Sequence, residues 1–266
     1  MKNIFKNISF HPKFAAVLDG IFSVVMIWWL TQISTWWMLG LWFLFRAALW
    51  GALVRIVFYP PEISRLRHWL SLLLFSIGNV LFLLFIEWLP TWYLLSLLAI
   101  VLPAVSFWLL PAVDSKLSFL PKPHRRWRLF LSAFGLAGIW SGVYASADFQ
   151  VWFYSRSWWW LALTAVIATG VAAWWWHEYG IAMNKRFWLW FCVWFLLMLE
   201  CSWIVSYLPL GFFARGMFLI WLWYSLWLLS RFELSGKGID WPKHRWSAII
   251  NLGLMVVYLA LVVRWK

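Results

Sequence analysis

Nine stretches of about 20 predominantly apolar residues follow one another along this chain, each long enough for a helix to cross the hydrocarbon of a bilayer. They cover approximately 14–34, 36–58, 68–89, 91–111, 129–150, 157–177, 187–208, 210–231 and 247–264. The break between the first two, around Thr31 to Thr35, is soft, and the ninth segment is the shortest. With 65% of residues hydrophobic and 12% charged, the chain departs from a soluble domain, which is about half apolar and a quarter charged. These figures exclude a disordered chain, a disulfide-stapled secreted domain and a soluble nucleic-acid binder. The expected fold is all-α: one integral membrane domain over residues 1–266, built as a bundle of about nine spanning helices. Lys2, Lys6 and Lys13 precede an apolar run from Phe14 that has no small-residue cleavage pattern. That run reads as a first span, not a removed signal peptide.

Charge orients the spans. The formal net charge is +13, and most of the Lys and Arg fall on one side when alternate connections are assigned to opposite faces. That side holds Lys2, Lys6, Lys13, Arg55, Arg65, Arg67, Lys116, Lys122, Arg125, Arg126, Arg128, Lys185, Arg186, Arg231, Lys237, Lys243 and Arg245; the other holds Arg156, Arg264 and Lys266. The positive-inside rule then predicts a cytoplasmic N-terminus and an external C-terminus in a cytoplasmic membrane. The two largest connections, about 112–128 and 232–246, are both basic and are expected to touch anionic lipid head groups; docking of an acidic membrane-protein partner is the sharper alternative. Neither needs nucleic acid, because the basic residues are spread over several segments and form no recognition motif.

A second pattern lies beneath the hydrophobicity. Arg67-His68-Trp69, Arg126-Trp127, Arg186-Phe187-Trp188 and Arg245-Trp246 recur at intervals close to 60 residues. At a shift of 119, residues 67–127 lie over 186–246 without a gap, matching at Arg67, Trp69, Leu70, Leu89, Pro90, Ser106, Trp108, Leu109, Leu110, Pro123, Arg126 and Trp127. Span geometry alone reproduces part of this, and an internal duplication would make the copies parallel. The copies differ where Leu81, Phe82 and Ser96 become Glu200, Cys201 and Arg215.

A charge inside a span costs several kcal/mol on insertion scales and is a functional hypothesis by default. The candidates are Asp19, Arg46, Arg55, Glu200 and Arg215. Helix direction puts Asp19 and Arg55 in the same third of the bilayer, where a structural ion pair is expected. Arg46 falls near the midplane, while Glu200 and Arg215 share the outer half and can meet across the Leu208-Pro209-Leu210 turn. Arg46, Glu200 and Arg215 are therefore the expected substrate-binding residues, lining a polar cavity for an anionic head group, an ion or a proton. Glu87 and Asp148 read as interfacial.

The 29 tryptophans read mainly as interfacial belts. Trp28, Trp29, Trp36, Trp37, Trp88 and Trp92 form one girdle, and Trp69, Trp127, Trp188 and Trp246 the other. Trp158-Trp159-Trp160 and Trp174-Trp175-Trp176 bracket the sixth span. Between them Ala162, Ala165, Ala168, Thr169, Gly170, Ala172 and Ala173 predict close helix packing. A pigment- or quinone-stacking surface would instead use the deeper Trp42, Trp140, Trp194, Trp221 and Trp223.

Familiar reaction centres find little support. His11, His68, His124, His177 and His244 all sit at or beyond helix ends, so a midspan bis-histidine haem is not expected. No span interior offers a lysine for a retinal Schiff base. Metal-protease, phosphate-loop and C-x-x-C motifs are absent, and Gly138-Ile139-Trp140-Ser141-Gly142 has the wrong spacing for a serine nucleophile motif. Cys192 and Cys201, about 13 Å apart along one helix, read as buried thiols. No metal, cofactor or catalytic residue is expected. Three functional classes remain: a transporter or permease with a buried charged site, a non-catalytic subunit or assembly factor of a membrane complex, and an enzyme acting on a lipid-linked substrate.

Overall fold

The computed structural model describes residues 11–57, 64–110, 121–149, 158–235, 241–258 and 260. Among these the chain is all-helical: α1 Pro12–Thr31, α2 Trp36–Ile56, α3 Arg65–Phe85, α4 Leu89–Trp108, α5 Pro121–Asp148, α6 Trp158–Glu178, α7 Lys185–Tyr207, α8 Phe212–Leu234 and α9 Trp241–Val257. The first eight are long and apolar enough to span a bilayer. This is a multi-pass membrane protein. The expected ninth span, 247–264, runs partly outside the described residues.

Local chemistry fixes the helix ends. Pro12 opens α1 where its missing N–H costs nothing, and the His11 ring accepts the Lys13 N–H at 3.2 Å. Gly180, at φ 85°, closes α6: its N–H reaches the His177 carbonyl while Ile181 reaches back to Trp176. That double bond pattern needs a left-handed residue. Asn184 then caps α7 through its Oδ1, which accepts the Phe187 N–H at 2.9 Å.

One boundary departs from expectation in a way that matters. The basic connection drawn at 112–128 is half helix, because α5 begins at Pro121. Proline favours a first helical turn, and the basic residues after it do not break a helix. His124 and Arg128 therefore lie on a packed helix and are buried, not spread on lipid head groups.

The chain divides into two compact units, residues 1–135 and 136–266, with the change falling inside α5. The two segments of the apparent repeat, 67–127 and 186–246, fall in different units. In the first unit α1 packs on α4 and α2, and α3 on α2 and α4. Ala15 and Ala16 on α1, Trp50 and Leu53 on α2, Leu72 and Phe75 on α3, and Leu102 and Phe107 on α4 belong to its apolar core. Gly78 on α3 faces Gly135 on α5 so closely that a Cβ on either would lie against the other helix's backbone.

In the second unit α7 packs on α6 and α8, and α8 also touches α9. Ala165, Ala168, Thr169 and Ala172 form a buried stripe on α6, as the run of small residues predicts. The closing tryptophans are not a belt: Trp175 and Trp176 are wholly buried. Trp176 packs edge-on against Trp194 of α7, which packs edge-on against Trp223 of α8. The small residues let α7 and α8 close over α6, so these indoles fill the interior.

Candidate functional site

Helices α1, α2 and α3 of the first unit contribute polar residues at helical spacing. Asp19, Ser23 and Met26 share one face of α1, and Trp42, Arg46 and Trp50 one face of α2. Ser76, Asn79 and Val80 come from α3 and Ala99 from α4; together with Ser23, Met26, Trp42, Arg46 and Trp50 they line one small cavity.

Arg46 is the charged residue of its lining, and Asp19 stands behind it; they are 3% and 0% exposed. Asp19 Oδ1 accepts the Trp50 indole N–H at 2.7 Å. Arg46 Nη2 donates to Ser23 Oγ at 2.5 Å and stands 3.7 Å from Asp19 Oδ1, beyond a good hydrogen bond. The guanidinium also lies 4.1 Å from the Trp50 ring centroid, in cation–π range. The pair is thus held by Coulomb attraction while each partner spends its best hydrogen bond elsewhere. Asp19 Oδ2 and Arg46 Nη1 have no hydrogen-bond partner among the described residues, and neither does Asn79 Oδ1.

Pro103 lies within α4, one turn beyond Ala99. A proline inside a helix removes the N–H that would bond the carbonyl four residues earlier. That carbonyl belongs to Ala99, a wall of the cavity.

Above the cavity, Met26, Trp42 and Val80 make a buried apolar roof, pinned by the Trp42 indole N–H donating to the Met26 carbonyl at 2.8 Å. One turn further on, towards the α1–α2 connection, lies a cavity of about 400 Å3. Its lining includes Leu30, Thr31, Leu39, Leu83 and Trp92. The first unit thus stacks a vestibule, an apolar roof and a charged chamber along its helices.

A second polar cluster occupies the opposite end of the same unit. His68 of α3 and His124 of α5 are wholly buried, edge to face with centroids 4.9 Å apart. Ser106 of α4 links them. Its hydroxyl donates to the Pro103 carbonyl at 2.6 Å, so His68 Nε2, 2.8 Å away, must be the donor to Ser106 Oγ. The Ser106 carbonyl can only accept, which puts a proton on His124 Nδ1 at 3.1 Å. Partner chemistry therefore assigns both tautomers. Arg128 follows His124 by one turn on the same face of α5 and is 3% exposed. Sequence position placed these histidines at helix ends, where they are, but gave no sign that two of them meet inside the protein.

The expected ion pair of Asp19 with Arg55 is not the one formed. Arg46 and Arg55 are nine residues apart, roughly 180° around a helix of 3.6 residues per turn, so only one can face α1. Arg46 does, and Arg55 is exposed.

Arg46 lies in the first unit; Glu200 and Arg215 belong to the second. Arg215 does not pair with Glu200 across the turn. Its Nη1 reaches both oxygens of Asp148, at 3.0 and 3.3 Å, because α5 ends and α8 begins at the same level. It also lies 5.6 Å from the Tyr144 ring centroid, and the Tyr144 hydroxyl donates to the Ser202 carbonyl at 2.7 Å. Asp148 is thus an ion-pair partner, not merely interfacial. Its side chain is 39% exposed, so Asp148→Asn is expected to cost under about 1 kcal/mol in thermal unfolding, as exposed pairs do. Glu200 points outward on α7.

The residues missed by charge alone are Ser23, Trp50, Asn79 and Pro103. The available signal was register: Asp19 and Ser23 four apart, Arg46 midway between Trp42 and Trp50, and an amide and a proline inside otherwise apolar spans. Among the described residues no group of three or more His, Cys, Asp or Glu is placed to hold a metal ion. No protein-family model, curated protein or solved structure matches this chain.

Proposed function

We propose that this protein is a permease-like membrane protein of the cytoplasmic membrane whose working element is the buried Asp19–Arg46 pair. One observation carries the reading: a wholly buried ion pair keeps an unpartnered polar atom on each side, with Arg46 Nη1 beside a chamber lying one helical turn below a 400 Å3 vestibule. A pair kept only for stability is better served by complete hydrogen bonding, since desolvating two charges costs several kcal/mol per ion. Charges inside a membrane protein that line a cavity mark ion and substrate paths. With the N-terminus cytoplasmic, as the basic residues favour, the vestibule opens to the outside.

Purified protein in liposomes, given proton, chloride, phosphate and potassium gradients in turn, tests this. One of these ions is expected to move at least about tenfold faster than in protein-free vesicles, and Asp19→Asn to abolish the difference, a change of about 1.4 kcal/mol or more in barrier. Monodisperse, folded protein that moves none of them sinks the reading.

A second reading, a subunit of a larger membrane complex, draws on Glu200. This carboxylate faces outward on α7 among exposed Leu196, Trp203 and Ile204, a costly position against lipid. Glu200→Leu is then expected to leave the isolated protein's thermal stability unchanged or higher and to lower its assembly into complexes on native gels of membranes. Identical migration of variant and wild type removes this reading.

A further inference from the structure

We propose that the exposed face of α7 is the seat of one transmembrane helix from a different membrane protein, and that Glu200 fixes it there by pairing with an arginine or lysine of that helix. This deepens the subunit reading above and rests on it.

Two acidic residues lie seven positions from the nearer end of an apolar span, Asp19 of α1 and Glu200 of α7. The chain answers the first from within: Asp19 is wholly buried, with Arg46 beside it. The second is treated in the opposite way. Glu200 is exposed, and its carboxylate has no ion pair or hydrogen bond among the described residues. Seven residues put it about 10 Å below the Tyr207 end of α7. A glutamate side chain is too short to cover that distance; snorkelling to the interface belongs to the long Lys and Arg.

The surroundings of Glu200 form a seam. Leu189, Val193, Leu196, Glu200, Trp203 and Tyr207 follow one another at alternating steps of four and three residues, and all are exposed. They stand on the face opposite Phe187, Trp194, Met198 and Val205, which are buried. A repeat of 3.5 residues presents a straight seam to one neighbouring helix, here over about 27 Å. A single polar side chain in such a seam sets the register of the partner. Lipid tails cover the five other residues without penalty, so Glu200 is the position at which a lipid and a protein neighbour differ: a charge facing hydrocarbon is costly on every insertion scale.

The carboxylate also states the chemistry of the occupant. At low dielectric the strongest answer to a carboxylate is a cation, and an arginine fork meets both oxygens at once. A second copy of this chain does not supply one. A parallel two-fold dimer along the seam sets Glu200 against Glu200, and Arg215, near the matching end of α8, is already held by both oxygens of Asp148. The occupant is therefore a helix of another protein with a basic residue about 10 Å below its own end on that side.

The test places the photo-crosslinking residue benzoylphenylalanine in place of Leu196, in the full chain in its native cells, and identifies the adducts by mass spectrometry. The same residue in place of Leu44, exposed on α2, reports ordinary lipid contact. The expected product joins position 196 to a transmembrane segment of another protein that bears Arg or Lys at the depth of Glu200. Its yield is expected to fall about tenfold or more in Glu200→Leu and Glu200→Lys, as loss of a desolvated charge pair requires. The yield returns when Glu200→Lys is combined with glutamate in place of the partner's basic residue. Glu200→Leu is expected to keep its unfolding temperature in detergent, so that lost yield is not lost fold; Glu200→Gln, which keeps the shape and drops the charge, is expected to lose most of the yield as well. Adducts with lipid alone, or with a second copy of this chain, overturn the proposal, as does a yield that Glu200→Leu leaves unchanged. A partner helix without a basic residue at that depth overturns it too, but leaves the subunit reading standing. Lipid adducts together with native gels that do not distinguish Glu200→Leu from the wild type overturn both.

Discussion

Arg46→Met alone is expected to destabilise the protein by about 3–5 kcal/mol, the usual result of stranding one member of a buried pair. Asp19 would stay ionised or take up a proton in a setting where Trp50 is its only hydrogen-bond donor among the contacts described. Adding Asp19→Asn should recover most of the loss, because the amide oxygen still accepts the Trp50 N–H and no charge remains to be neutralised. Asp19→Leu is a poorer second step: it leaves the Trp50 indole unpaired inside the protein, costing about 1–3 kcal/mol by itself. Thermal unfolding of the wild type, Arg46→Met, Asp19→Asn and the double variant in detergent gives the coupling energy directly. A stable Arg46→Met, or a double variant no better than the single, contradicts this account. The cycle also separates structure from transport: the double variant is expected to accumulate in the membrane normally and to move no ion.

Gly78→Ala and Gly135→Ala are expected to cost about 1–3 kcal/mol each, the range for overpacking a close contact. The obstacle is main chain. A Cβ on Gly78 meets the backbone of Gly135, and one on Gly135 meets the carbonyl of Leu74, so no rotamer change relieves it and α3 must separate from α5. Gly40 provides the internal control, since a Cβ there meets nothing within 4 Å. Gly40→Ala should be neutral or gain up to about 1 kcal/mol from helix propensity. Equal shifts in unfolding temperature for Gly40→Ala and Gly78→Ala would show that the crossing does not hold the unit together.

The number and place of the helices were legible because twenty apolar residues in a row have few other fates. Azimuth was not. Height along the helices favours Arg55 as the partner of Asp19, yet the packing of α1 on α2 turns Arg46 towards it. Asn79 escaped a search built on charge, although a neutral amide carries an equal hydrogen-bond demand once buried. His124 reads as lying outside the helix because the apolar run begins at 129, on the far side of a run of basic residues. Asp148 reads as interfacial because it stands at a helix end, which is where Arg215 also stands.

The indoles of this protein carry a consequence for its biogenesis. Trp42, Trp69, Trp127 and Trp223 each donate an N–H to a main-chain carbonyl of another helix, Met26, Ala47, Leu102 and Ala168 respectively. A helical carbonyl keeps a spare lone pair, so the acceptor side of each latch asks nothing of the sequence. Serine, asparagine or glutamine can join helices in the same way, but each makes a segment harder to release into lipid. Tryptophan separates the two demands. A helix latched by an indole needs no further polar side chain to carry into the bilayer, and its directional bond forms only afterwards, when it finds its neighbour.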